Sequence, residues 1–233
     1  MREALGFLTV LGGARTPTPR AWRWFPLVGA AAGALVGVVW WATGEVLLAL
    51  PAAVCAVAAD LAVTGMLHVD GLADSADGLL PHAPRERRLE IMRTPDLGAY
   101  GVAVVAIVLV ARVGAFSAFP ASIGLVAALW CASRTVAAVA PAWLPYARAD
   151  GLATPMLVAP VAAWPALALV PAAALAWLSV GGEGVAAVGG VVVASCAVLA
   201  LARSRVGGFT GDVLGAAIVV GETVGLVVAG ARW

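Results

Sequence analysis

Apolar runs dominate the chain, and polar residues collect in the gaps between them. Seven predominantly apolar stretches lie near 26–42, 46–67, 98–119, 121–142, 155–178, 185–202 and 213–230. The longer intervening segments are 1–25, 68–97, 143–154 and 203–212. A membrane-crossing helix needs about 20 mostly apolar residues, so each stretch predicts one transmembrane helix. The first is short, and the third and fourth are parted only by the turn at Phe119-Pro120. The expected fold is all-α: a polytopic integral membrane helical bundle of about seven transmembrane helices, forming one domain over 1–233.

Composition closes off the alternatives. Of the 233 residues, 63% are hydrophobic and 12% charged, and mean hydropathy is +1.01. Soluble domains carry about 25% charged residues, and disorder requires the opposite balance. The 27 glycines follow no fixed period, which excludes a collagen-like chain. Cys55, Cys131 and Cys196 stand singly in apolar runs and read as small buried hydrophobes. Met1–Leu11 is short and mixed in character, and does not read as a cleavable signal.

Charge sets the orientation. All 14 basic residues are arginine and net charge is only +1, so nothing points to nucleic acid as a partner. Arg2, Arg15, Arg20, Arg23, Arg85, Arg87, Arg88, Arg93, Arg148, Arg203 and Arg205 fall in the four longer segments, while the opposite side holds only Arg232. Arg112 and Arg134 lie inside apolar stretches. Positive charge marks the cytoplasmic side, which predicts a cytoplasmic N-terminus and an odd number of crossings. Asp70, Asp74, Asp77, Glu86, Glu90, Asp96, Asp150 and Asp212 share that side. Trp22, Trp24, Trp40, Trp41 and Trp143 fall at stretch ends, where interfacial aromatics belong. Chemistry is therefore expected on the cytoplasmic face, in segments near 64–98, 143–154 and 203–216.

The segment from His68 to Gly78 follows the second stretch. Its Asp70, Asp74 and Asp77, at i, i+4 and i+7, share one helix face. Carboxylates stacked in this way repel unless a cation lies among them, and hard oxygen donors at a membrane boundary suit Mg²⁺. A solvated acidic helix end is the plain alternative. Gly71 and Gly78 would let a bulky ligand reach the backbone. Glu90 and Arg93 read either as a surface ion pair or as a metal ligand and a phosphate contact. In Gly207–Ala216, glycines offer backbone N–H groups to an anion, Thr210 offers a hydroxyl, and Asp212 is a helix N-cap or a site residue. Glu222 and Asp60 are carboxylates inside apolar stretches and so functional candidates, with Arg112 or Arg134 as partners for Glu222. Asp60, ten residues before Asp70, is expected on roughly the same helix face. Arg134 is an intramembrane cation, Arg148 a loop charge or substrate contact, and His68 a helix-end polar group, substrate contact or base.

These residues bring out a resemblance. Phe25–Gly29 (FPLVG), Thr64–Gly78 (TGMLHVDGLADSADG), Leu89–Arg93 (LEIMR), Gly207–Ala216 (GGFTGDVLGA), Gly221-Glu222, Ser133-Arg134 and Tyr146–Leu152 (YARADGL) are similar to the cobalamin synthase family, the adenosylcobinamide-GDP ribazoletransferases. The similarity spans nearly the whole chain. It departs at Val10 and Gly12-Gly13, at Thr94–Gly98, which lacks the usual Asp and Arg, and at Arg112, where Lys is usual. The resemblance implies an inner-membrane, multi-pass, Mg²⁺-dependent enzyme that joins adenosylcobinamide-GDP to α-ribazole or its 5′-phosphate and releases GMP. The ribazole 5′-hydroxyl is the expected attacking group.

Residues and resemblance together give the expected site. Asp70, Asp74, Asp77 and His68 are catalytic; Asp70, Asp74, Asp77 and Glu90 hold the metal. Arg93, Arg134, Arg148, Gly208, Thr210, Gly211, Asp212 and Glu222 bind substrate. Expected partners are the two substrates and the lipid bilayer, with a homo-oligomer left open. Two other readings stand beside this one. A CDP-alcohol phosphotransferase also uses spaced aspartates, but its signature has Ala-Arg after the first Asp-Gly, where this chain has Leu72-Ala-Asp. A corrinoid or solute transporter would use Glu222, Asp60 and Arg134 as midplane binding groups.

Overall fold

The computed structural model describes residues 1–13, 16–151 and 153–231. Ten α-helices run through the described residues: α1 (Arg2–Leu8), α2 (Phe25–Gly44), α3 (Ala49–Thr64), α4 (Leu67–Leu79), α5 (Arg85–Ile91), α6 (Ala99–Ser117), α7 (Ile123–Trp143), α8 (Leu169–Val180), α9 (Gly182–Val206) and α10 (Gly211–Ala229). Extended pairing among them is limited to one parallel bridge between Tyr146 and Phe209.

Five helices have the length and apolarity to cross a membrane: α2 with the 3-10 turn Pro19–Trp24 leading into it, α6, α7, α9 and α10. The other two predicted stretches take a different form. α3 has 16 residues and is stopped by Gly65 and Met66, both left-handed, with φ of 59° and 61°. The chain then bends by 90° into α4, so α4 adds no length to the α3 crossing and lies outside it. Asp60 and Asp70 consequently share no helix face, contrary to their sequence spacing. The stretch near 155–178 is not one helix either. Pro155, Pro160, Pro165 and Pro171 lack backbone N–H groups, and two 3-10 turns, Thr154–Met156 and Trp164–Ala168, precede an α8 of only 12 residues.

Close packing of backbones holds the bundle together. Gly29, Gly33 and Gly37 recur every fourth residue on the α2 face against α7, and a Cβ on Gly33 would stand 2.6 Å from the Val126 carbonyl oxygen. Small residues at this spacing let helices approach where lipid supplies no hydrophobic drive. The outward faces carry exposed Ile107, Val110, Leu178 and Val193, as a lipid-facing surface requires.

Polar tethers define one end of the bundle. Asp77 Oδ2 accepts from Gly98 N–H at 2.8 Å and Oδ1 from Gly101 N–H at 2.9 Å, capping α6 from α4. Arg85 Nε donates to the Val206 carbonyl at 2.8 Å, and its Nη2 to that of Ala147 at 3.2 Å, tying α5 to the end of α9 and to the loop after α7. Buried Arg88 donates to the Gly78 and Leu79 carbonyls at 2.9 and 2.7 Å and closes α4. Val69 and Leu72 of α4 pack on Ala216 and Val219 of α10 and on Val104 and Val105 of α6. The N-termini of α6 and α10, the C-termini of α7 and α9, and both α4 and α5 therefore meet at the same end.

Candidate active site

A cavity of about 220 Å³ opens at this end. Its lining comes from α1 and α2 (Phe7, Leu8, Phe25), α4 (Leu67, His68, Asp70), α7 (Ala137), the following loop (Tyr146, Arg148, Gly151) and α10 (Gly211, Asp212, Leu214, Gly215, Ile218). Gly71 explains the approach of α10: a Cβ there would lie 2.8 Å from the Asp212 carbonyl oxygen. The closeness expected of Gly71 toward a ligand is thus used by the α10 backbone, which carries Asp212 to the α4 carboxylates. Gly78 is likewise closed off, by Met92 and Arg88.

Crowding of like charge marks the acidic wall. Burial, then the Asp212 and Asp70 carboxylates, push Asp74 up to about 7 against the opposing pull of Arg148. Asp77 stands apart. At 1.5 Å per residue it lies about 10 Å along α4 from Asp70, and both its oxygens accept from the α6 N-terminus. Glu90 is exposed and pairs with Arg87 at 2.8 Å. Glu90 is therefore not brought to Asp70 and Asp74, while Asp77 lies near Asp74 but uses both oxygens for the α6 cap. Among the described residues no three His, Cys, Asp or Glu side chains are already set around one metal position. Mg²⁺ does not require such a cage, since it keeps several waters and is held by one or two carboxylates plus substrate phosphates. By donor chemistry and by the mutual repulsion recorded at Asp74, the set Asp70, Asp74 and Asp212 fits a hard divalent cation.

Cationic and amide groups face this wall. Arg148 Nη2 pairs with Asp212 Oδ2 at 2.8 Å and donates to the Met92 carbonyl at 3.0 Å; its buried Nε has no partner. Arg93 is exposed at the end of α5, and its charge reaches the Tyr146 hydroxyl. Thr210 is the α10 N-cap: its buried hydroxyl accepts from Val213 N–H at 3.3 Å and donates to Asp212 Oδ2 at 3.2 Å, so it faces its own helix. Gly208 abuts the Pro145 carbonyl and permits the Tyr146–Phe209 bridge. Gly211 has open space beside it, at the amide end of α10 where an anion is favoured. Burial, then the charge of Arg134, push the His68 imidazole down to about 3, so the ring at the inner end of the cavity is neutral.

Arg134 and Glu222, expected on the substrates, lie deeper in the bundle. Glu222 pairs with both Arg112 and Arg134 and accepts from the Ser133 hydroxyl at 2.8 Å. Arg112 also binds Asp60 and donates to the Thr223 hydroxyl at 2.9 Å, while Asp60 accepts from Trp130 Nε1 at 2.9 Å. All four charges are at least 96% buried and none lines the cavity. Each is satisfied by another, which removes the cost of holding a lone charge there. Tyr146 and the apolar lining of Phe7, Phe25, Leu214 and Ile218 were missed from sequence. An aromatic or aliphatic residue beside a site looks there like any core position.

Comparison with known proteins shows the family. The family model for cobalamin-5-phosphate synthase (CobS) matches residues 1–230. A curated relative from Bradyrhizobium diazoefficiens, named adenosylcobinamide-GDP ribazoletransferase, is 42% identical over 187 residues, covering 77% of this chain and 70% of the relative. Relatives with the same name come from Alkalilimnicola ehrlichii (40% identical; 73% of this chain, 68% of the relative) and Brucella ovis (34%; 97% and 94%). No solved structure matches. With a match over nearly its whole length and such relatives, the chain belongs to the cobalamin-5-phosphate synthase family.

Proposed function

We propose that this chain transfers the phospho-corrinoid group of adenosylcobinamide-GDP to α-ribazole or its 5′-phosphate and releases GMP, with the cavity between α4 and α10 as the site of transfer. Beyond family membership, the reading is supported by one juxtaposition: Asp70, Asp212, Arg148 and the amide end of α10 line one small cavity, with Asp74 close enough to feel both carboxylates. An acceptor whose 5′-oxygen carries phosphate has no 5′-hydroxyl, so the attacking oxygen is a ribose ring hydroxyl. This revises the expectation drawn from the sequence.

The amide end of α10 at Gly211, with Arg148 and Arg93, binds and orients the diphosphate oxygens. Asp74, with a pKa near ambient pH, accepts the proton of the ribose hydroxyl. The hydroxyl oxygen bonds to the phosphorus that carries the corrinoid, the bond from that phosphorus to the bridging oxygen breaks, and GMP departs with the electron pair. Asp70 and Asp212 would hold Mg²⁺, which when bound neutralises diphosphate charge. Positioning and charge neutralisation supply most of the rate in phosphoryl transfer.

The test is GMP release by the purified protein in lipid nanodiscs, given both substrates and Mg²⁺. Wild type is expected to turn over, and Asp74→Asn to lose at least about 100-fold in kcat, within the range for general-base removal. Absence of GMP from wild type would overturn the transfer reading, and full activity of Asp74→Asn would overturn the role of Asp74.

A further inference from the structure

We propose that the inner end of the cavity is the subsite for the flat heteroaromatic base of the acceptor nucleoside, with His68 as its polar contact and Ile218, Leu214 and Ala137 setting which bases fit. This rests on the transfer reading above and assigns the two substrates to different parts of the site.

Size comes first. At about 220 Å³ the cavity is smaller than the roughly 300–1,000 Å³ clefts that enclose drug-sized ligands. It has room for a heteroaromatic base and little more, whereas a corrin ring joined to GDP must remain at the mouth. The lining is also sorted by depth. Asp212, Gly211 and Arg148 stand at the amide end of α10, while Leu214, Gly215 and Ile218 descend along it. From Asp212 to Ile218 is about 9 Å along the helix axis, the scale that separates a base from the hydroxyls of its sugar. A base at the inner end thus presents its ribose to Asp70 and Asp212, with Asp74 beside them.

The cavity wall has the chemistry of a base pocket. Phe7 and Phe25 stack with ring centroids 5.7 Å apart and planes 27° apart, and both line the cavity with Ala137, Leu214 and Ile218. His68 is an independent observation. Its side chain lines this cavity, the residue is 95% buried, and among the described residues no side-chain hydrogen bond reaches its imidazole. Its ring nitrogens keep contact with the open cavity and are not sealed unpaired in the core, so they are free to take a hydrogen-bond partner from a ligand. A ring nitrogen of the base would supply that partner, where an aliphatic ligand could not.

The experiment pairs steady-state kinetics with calorimetric binding of the free nucleoside to the full-length protein in nanodiscs. His68→Leu, which keeps the bulk and removes the hydrogen bond, is expected to raise the nucleoside KM and Kd at least 10-fold and to leave the KM for the GDP-activated corrinoid within 2-fold. Ile218→Ala, which enlarges the pocket without overpacking it, is expected to shift preference at least 5-fold toward nucleosides with a larger base. Equal rises in both KM values, or an unchanged nucleoside Kd in His68→Leu, would overturn the subsite. The readouts separate the two readings. Nucleoside binding weakened by His68→Leu, with no GMP from wild type, removes the transfer reading and retains the subsite. GMP release with the nucleoside parameters unmoved does the reverse.

Discussion

Asp74 is the side chain in which burial and charge most directly predict behaviour. Its carboxyl is lifted from the ordinary 3.8 to about 7 by burial and by two acidic neighbours. A group raised in the folded state contributes stability below its unfolded value and loses it as pH rises through its folded value. The ionised form is the one that accepts a proton, so kcat/KM should climb with pH along a limb centred near 7 and level off above it. A cation held by Asp70 and Asp212 favours the ionised form of Asp74. Raising Mg²⁺ from subsaturating to saturating should therefore move the limb to lower pH, by an amount read directly from two rate profiles. A limb that ignores Mg²⁺ would place the cation away from Asp74, and one that survives in Asp74→Asn would belong to another group.

At the scale of elements, α4 has two uses for aspartates that look equivalent in sequence. Asp70 lines the cavity and Asp74 lies within charge range of Asp70 and of Asp212 on α10, whereas Asp77 caps α6 through Gly98 and Gly101. Replacing Asp77 by Ala should cost about 1–2 kcal/mol, the usual range for a lost helix cap, measured as reduced thermal stability. The Mg²⁺ concentration for half-maximal activity should stay within 2-fold; a 10-fold rise would return Asp77 to the metal. The i, i+4, i+7 spacing correctly indicated a helical acidic face, because that pattern is local. It could not separate cap from ligand, because the capped N–H groups are 21 and 24 residues away. The bend at Gly65-Met66 was hidden for another reason: a left-handed methionine has no compositional sign, and apolar residues continue on both sides. Glu222 was legible as a carboxylate in an apolar run that needs a partner. Its pairing with both Arg112 and Arg134 depends on three helices meeting, which no linear spacing records.

For the whole molecule, the segregation of charge bears on which way the bundle faces. Net charge is +1, yet α4, α5, the loop after α7 and the amide end of α10 gather their charged side chains at the cavity end, while the surface between the ends is apolar. Arginine-rich ends stay on the cytoplasmic side during insertion, and on that ground we propose that the cavity faces the cytosol. Asp150 is exposed near the cavity mouth and Glu183 is exposed at the start of α9, at the opposite end. With Cys55, Cys131 and Cys196 replaced by alanine, Asp150→Cys should react with a membrane-impermeant maleimide in inside-out vesicles and not in intact cells. Glu183→Cys should show the opposite pattern. The reverse result for both would invert the bundle and leave the cavity without access to a nucleotide-activated donor, so an active protein labelled in that way would have to carry out transfer elsewhere on its surface.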